Sequence, residues 1–358
     1  MTLDPRTYVA ERLAQTRPTL IFDRWMEGKE NIPHGWQGVL REHILVCLGL
    51  QRRWKMPELD AQFTESVVQE GYRRERVEFT TRPGLRAMGY YLVPDGIASG
   101  EHRPAVLCLP GHGPGVDSIV GIGPNGIQRR INEPDGYSAD FALQCVAHGY
   151  PTFALEQISF GHRRDEQARR EGPESSSCKR DAMAALMLGE TIIGWRVWDA
   201  MRALKFLRTR PEVDGEKLIT MGISGGGLTS LFTAALDNRV AACIVSGYLN
   251  TFDASVLAID HCVDNYAPGL RDICEMPDIA GLIAPRLLFA ESGTEDPIFP
   301  IAAFEQARAQ VARIYAAFDA PENFATEVFT GGHRFHGAVA FQFLSEQMPA
   351  QALPSLGE

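Results

Sequence analysis

Lys217-Leu-Ile-Thr-Met-Gly222-Ile-Ser224-Gly-Gly-Gly227-Leu-Thr-Ser-Leu-Phe-Thr-Ala-Ala-Leu236 reads as an apolar strand, a tight turn and a helix. The turn holds the pattern G-x-S-x-G in the strand–turn–helix setting that gives it chemical meaning. On such a turn the serine is strained, and its hydroxyl stands out above the carboxyl end of the strand. Gly222 and Gly226 leave room where a side chain would crowd the turn. Ser224 is therefore the expected nucleophile; the competing reading is a plain glycine-rich turn between strand and helix.

The same alternation continues on both sides of this stretch. Strands are expected at Val77–Thr81, Met88–Val93, Ala105–Leu109, Thr152–Glu156, Ala241–Ser246, Arg286–Ala290 and Ala325–Phe329. Helices are expected at Phe141–His148, Thr191–Arg208, Ile301–Ala317 and from Phe335 to Glu346. Continuous apolar runs such as Ala105-Val-Leu-Cys-Leu109 fit strands covered on both faces. The class is α/β, with a mostly parallel central sheet and helices on both sides. This catalytic domain is placed at residues 75–350, with insertions near 157–190 and 247–282.

Residues 1–74 read differently, as a helical extension. They contain amphipathic stretches at Tyr8–Leu13, Val39–Leu50 and Leu59–Glu70, and the tryptophans Trp25, Trp36 and Trp54. The charged segment 161–181 is expected on the surface, with Arg163-Arg164 and Arg169-Arg170 solvated.

Composition narrows the function. The 358-residue chain carries a net charge of −10, which argues against a general nucleic-acid or anionic-membrane binder. It has no apolar run long enough to span a membrane and no apolar signal core near Met1, so the expected location is cytoplasmic. Seven cysteines, an odd number with no CxxC pair, read as small core residues in a reducing compartment. Gly121-Ile-Gly-Pro-Asn-Gly126 spells G-x-G-x-x-G, but no strand leads directly into it and no helix follows. A dinucleotide site needs both, so a loop over the pocket mouth is expected instead. Neither a metal nor a cofactor is expected.

A serine needs a base, and the base needs an orienting carboxylate. Downstream of Ser224 the histidines are His261, His333 and His336. His333, in the Gly-rich loop after the strand ending at Phe329, is the preferred base, with His336 as the alternative. Asp296, in the loop after the strand ending at Ala290, is the preferred acid. Glu295, Glu291 and Asp253 are its alternatives, and an N-cap or turn aspartate is the bland reading. Two N–H donors must meet the oxyanion. Gly225 should supply one, and the loop Pro110-Gly-His-Gly-Pro114 the other, through His112 or next Gly113.

At these residues the chain resembles the α/β-hydrolase superfamily. More narrowly it is similar to the dienelactone-hydrolase-like and acetylxylan-esterase-like branch, over roughly residues 75–347. The resemblance is carried by Leu109-Pro-Gly-His-Gly113, Gly194-Trp-Arg-Val-Trp-Asp199, Gly222-Ile-Ser-Gly-Gly226, Leu282-Ile-Ala-Pro-Arg286, Gly293-Thr-Glu-Asp-Pro-Ile-Phe-Pro300 and Gly331-Gly-His-Arg-Phe335. It implies the α/β-hydrolase fold and a triad of Ser224, Asp296 and His333. Dienelactone hydrolases themselves use cysteine, so Ser224 favours ordinary ester hydrolysis over lactone opening. The expected substrate is a small-molecule ester with a short acyl group, acetyl being favoured by the resemblance alone. Phe160, Tyr248 and Tyr266 are the candidate substrate contacts, together with the segment His261-Cys-Val-Asp264. A C–C hydrolase, acyltransferase, lyase or peptidase would share the triad, and a binding protein would keep the fold. Oligomeric state, a homo-oligomer included, is left open.

Overall fold

The computed structural model describes residues 2–27, 33–51, 56–131, 134–172 and 175–352. Nine strands form one sheet: β1 Gln62–Gln69, β2 Tyr72–Arg82, β3 Leu85–Pro94, β4 Arg103–Leu109, β5 Thr152–Leu155, β6 Val213–Ile223, β7 Val240–Ser246, β8 Leu287–Gly293 and β9 Phe324–Phe329. Their order across the sheet is β1-β2-β3-β5-β4-β6-β7-β8-β9. The first three strands are antiparallel, as is the β3–β5 pairing; from β5 through β9 every neighbour is parallel.

The apolar runs become parallel strands because both of their faces are covered. Every residue of β4 is buried. Alternate residues feed opposite layers: Leu107, Leu218 and Val245 join one apolar cluster, and Val106, Ile219 and Ile244 the other. The helices Ile192–Leu207 and Gly225–Leu236 pack on the first layer, and Phe141–Ala147 and Ala338–Gln347 on the second. β6 lies mid-sheet and ends at the proposed elbow.

The N-terminal segment differs from its expected form. Pro5–Gln15 is a helix with no buried residue. Pro33–Cys47 is also a helix, but Trp36, Leu40 and Ile44 enter the same core as Leu228 and Leu231. Gln37 Nε2 donates to the carbonyl of Ala284 at 2.7 Å. Trp54 lies outside the described residues. Leu59–Glu70 is not helical. Its apolar spacing (Leu59, Phe63, Val67) mimics a helix, but the backbone pairs with β2 as an edge strand that is largely exposed. Gly71, at φ +84°, makes the turn between the two strands.

The charged segment corrects the expectation in part: Arg169 and Arg170 are exposed as expected, but the segment holds the helix Glu166–Glu171 and the start of the helix Cys178–Met187. The Arg163 side chain is only 7% exposed, with Nη1 2.7 Å from Asp199 Oδ2. Arg164 donates to the carbonyls of Gly161 and Ser175 at 2.7 and 3.2 Å. A buried carboxylate requires a paired charge, and Asp199 recruits Arg163 and Arg82 for it.

Candidate active site

β6 delivers Ser224 to the sheet's carboxyl edge with φ +56° and ψ −121°. That backbone is strained for a residue with a side chain. It persists because its surroundings fix it: Ser224 N donates to the carbonyl of Ser246 at 3.0 Å. A Cβ on Gly226 would lie 1.9 Å from the Leu109 carbonyl oxygen, and one on Gly222 2.3 Å from that of Gly226. Only glycine lets the helix start this close to the sheet.

The loops after β8 and β9 bring Asp296 and His333 together. His333 Nδ1 is 2.7 Å from Asp296 Oδ2. The other carboxylate oxygen of Asp296 accepts from the N–H groups of Ile298 and Phe299 at 2.8 and 3.0 Å. The turn role and the orienting role therefore coexist in one side chain. The two loops are tied directly: Glu295 N donates to the Gly331 carbonyl at 2.8 Å, and Thr294 N to that of Phe329 at 2.9 Å. Gly247 lies flush against the pair; a Cβ there would sit 3.1 Å from His333 Cε1.

Ser224 and His333 face one cavity of about 360 Å³. His112 and Tyr137 form part of its wall, and Ile259, Asp260, His261, Cys262 and Ile298 the rest. Tyr137 donates to the His112 carbonyl at 2.6 Å, and its ring stacks on His333 with centroids 6.2 Å apart. It also lines an adjoining cavity of about 650 Å³, whose wall includes Ile122, Gly123, Pro124 and Gly126. The G-x-G-x-x-G segment is thus a hydrogen-bonded loop of that second cavity, with Gly126 N on the Gly123 carbonyl at 2.8 Å.

Among the described residues, neither the His112 nor the Gly225 backbone N–H donates to a protein acceptor. Gly225 opens its helix, where N–H groups lack intrahelical partners and the dipole favours negative charge.

Other candidates sit elsewhere. His336 Nδ1 is 2.8 Å from Glu327 Oε1. Glu291 is buried, which raises its pKa, and it accepts from Ser246 Oγ and from the N–H groups of His336 and Gly337 at 2.7, 2.8 and 2.9 Å. Asp253 pairs with Arg271 at 2.8 Å. None of the three expected substrate contacts lines the Ser224 cavity. Phe160 is 2% exposed, packed against the His112 ring and under Arg196. Tyr248 is 1% exposed, against Phe299. Tyr266 lines a separate small cavity with Phe252 and Leu270. Aromatic residues next to strand ends were drawn into the core by their own area. Of the named segment, His261 and Cys262 do reach the Ser224 cavity. Tyr137 had no motif to announce it, because only the fold brings it there.

Among the described residues, two groups of side chains converge closely enough to hold an ion: His112, Cys262 and Asp264, and Glu291, Glu327 and His336. The Arg196 guanidinium already occupies Asp264 in the first. Backbone N–H groups and Ser246 occupy Glu291 in the second. All seven cysteines are free. Among the described residues no helix is long and apolar enough to cross a membrane.

The model of the Abhydrolase family matches residues 3–331, so the match includes the N-terminal segment. The chain is 27% identical over 198 residues to "Putative hydrolase YtaP" of Bacillus subtilis (strain 168), covering 54% of this chain and 62% of that protein. It therefore matches less than two thirds of that relative's length. A crystal structure of "a putative acetyl xylan esterase" from Bacteroides fragilis superposes with a TM-score of 0.80 at 19% identity, covering 97% of this chain and 95% of the other. A glucuronoyl esterase from Solibacter usitatus gives 0.64 at 13%, covering 93% and 98%. An acetyl xylan esterase from Paenibacillus sp. R4 gives 0.55 at 18%, covering 97% and 98%. At these identities the likeness is one of fold.

Proposed function

The chain belongs to the Abhydrolase family, and we propose that it is a serine hydrolase of carboxylic esters with short acyl groups. The observation that carries this reading is the shared cavity. A serine on a strained elbow faces the same space as a histidine whose far nitrogen is held by a carboxylate 2.7 Å away.

In this mechanism His333 takes the Ser224 proton as the Oγ attacks the ester carbonyl. Asp296 fixes the tautomer that leaves the other ring nitrogen free to accept, and stabilises the imidazolium that forms. The N–H groups of His112 and Gly225 receive the oxyanion. His333 then returns the proton to the departing alkoxide, and water releases the acyl group by the same path. The cavity of about 360 Å³, lined in part by Ile259 and Ile298, suits a short acyl chain. Acetyl esters are the first class to try, in keeping with the names borne by two of the structural neighbours. The free cysteines fit a reducing, cytoplasmic location.

The test is turnover of p-nitrophenyl acetate, butyrate and octanoate by the purified protein beside Ser224→Ala. Rates that fall with chain length and vanish in the variant are expected. Folded protein that cleaves none of the three would overturn the reading and redirect attention to peptides or C–C bonds.

A further inference from the structure

One wall of the Ser224 cavity carries a charge that the triad does not use. His112 has about a third of its side chain, 35%, open to solvent. Its ring rests on Gly225: a Cβ added there would lie 3.1 Å from both Cε1 and Nδ1. Nε2 lies 3.1 Å from Asp264 Oδ2, in ion-pair contact without hydrogen-bond alignment. Asp264 and Arg196 are both fully buried and paired with each other. Asn265 Nδ2 pins the second oxygen of Asp264 at 2.8 Å. One carboxylate thus faces two cationic groups.

Of the other titratable side chains on this wall, Asp260 is acidic and shares the cavity, whereas Cys262 and His261 add no charge of their own. Cys262 is held as a thiol, its pKa raised by its contact with the Cys178 sulfur and then by burial. Burial lowers the pKa of His261. For His112 burial acts in the same direction, but the Asp264 carboxylate overrides it and raises the imidazole to about 10. Burial would likewise raise Asp264, yet Arg196 and His112 hold it well below the usual carboxylate range. Asp264 is spoken for by Arg196, so the second positive charge is left facing the cavity.

We propose that the His112 side chain is a catalytic group beyond its backbone N–H: a fixed imidazolium beside Gly225 that stabilises the oxyanion. The proposal rests on the reading of the chain as a Ser224-dependent ester hydrolase. In the step concerned, the bond from Ser224 Oγ to the carbonyl carbon forms and the C=O π pair moves onto oxygen. The serine proton goes to His333. His112 keeps its proton throughout and acts only through its charge.

The experiment compares full-length wild type with His112→Gln and His112→Lys on p-nitrophenyl acetate, which is neutral, and p-nitrophenyl hemisuccinate, which is anionic. A fluorophosphonate counts competent serines, and the rate of Ser224→Ala is subtracted. The glutamine variant should lose about 10- to 100-fold in kcat on both esters, somewhat less than the loss of a direct oxyanion donor. Its KM should stay within about threefold, and lysine should recover most of the loss. Wild-type-like kcat in the glutamine variant would overturn the proposal. So would a loss confined to KM for the hemisuccinate, which would make the charge a recognition device for anionic substrates. If the variants fail to fold, the wild-type pH profile decides. The charge is present below about 10 and lost above it, so kcat should fall as pH rises through that value; a level profile refutes the idea. Wild type with no Ser224-dependent turnover would instead sink the esterase reading, and this proposal with it.

Discussion

Replacing Asp296 by asparagine separates its two jobs. Oδ1 accepts from the N–H groups of Ile298 and Phe299 at 2.8 and 3.0 Å, and an asparagine carbonyl can keep both bonds. The amide nitrogen then takes the place of Oδ2, 2.7 Å from His333 Nδ1. Two donors cannot face each other, so His333 must accept at Nδ1 and carry its proton on Nε2. The nitrogen that should take the Ser224 proton is already protonated. The serine-protease template loses about 10⁴-fold in kcat from this change. A loss of about 10³- to 10⁴-fold is expected here, or about 4 to 5.5 kcal/mol of transition-state stabilisation. Stability should move by less than about 1 kcal/mol, because the loop keeps its bonds. Asp296→Ala is the contrasting variant. It strands both N–H groups and should cost about 1–3 kcal/mol in urea unfolding in addition to the rate. The assay is kcat on p-nitrophenyl acetate, with urea melts of the same preparations. Asp296→Asn that keeps kcat within tenfold of wild type would refute the triad assignment.

Further expectations concern the scaffold. Gly226→Ala places a methyl 1.9 Å from the Leu109 carbonyl oxygen and 2.6 Å from its carbon. Since backbone must yield, destabilisation of at least about 3 kcal/mol is expected in urea; a variant as stable as wild type would contradict the packing described. Glu156 is fully buried, accepting from the N–H groups of Val116 and His162, and burial raises its pKa from 4.5 to about 7. Between those values the unfolded chain releases a proton that the folded chain keeps. Its contribution to stability therefore falls as pH rises across that window, by on the order of 3 kcal/mol, and is level above it. Urea unfolding of wild type and Glu156→Gln at several pH values checks this, and parallel curves would count against it.

What the sequence disclosed was whatever local chain geometry determines. The elbow at Ser224 needs only a strand, a turn and small neighbours, all contiguous between Leu218 and Gly227. The strands follow one another in parallel, so the loops that carry Asp296 and His333 could be found by counting. Residues whose surroundings come from distant segments were hidden. β1 passed for a helix because an exposed edge strand has no buried face to impose a period of two. Arg163 passed for a solvated charge because its partner, Asp199, lies on another helix. The cluster of His112, Arg196 and Asp264 draws on three separate segments, and no motif joins them. Phe160 and Tyr248 followed strand ends as expected, but their rings turned inward.

The loops after β8 and β9 are stitched by two backbone bonds, Thr294 to Phe329 and Glu295 to Gly331. The loops of Asp296 and His333 are therefore tied to each other, while Ser224 belongs to a separate element, anchored mid-sheet through Ser246. A disturbance at that edge of the sheet would swing both members together, preserving their mutual spacing and spoiling only their aim. Faults introduced there should look like a well-made relay pointed at the wrong place, with the carboxylate–imidazole contact intact and the serine out of reach.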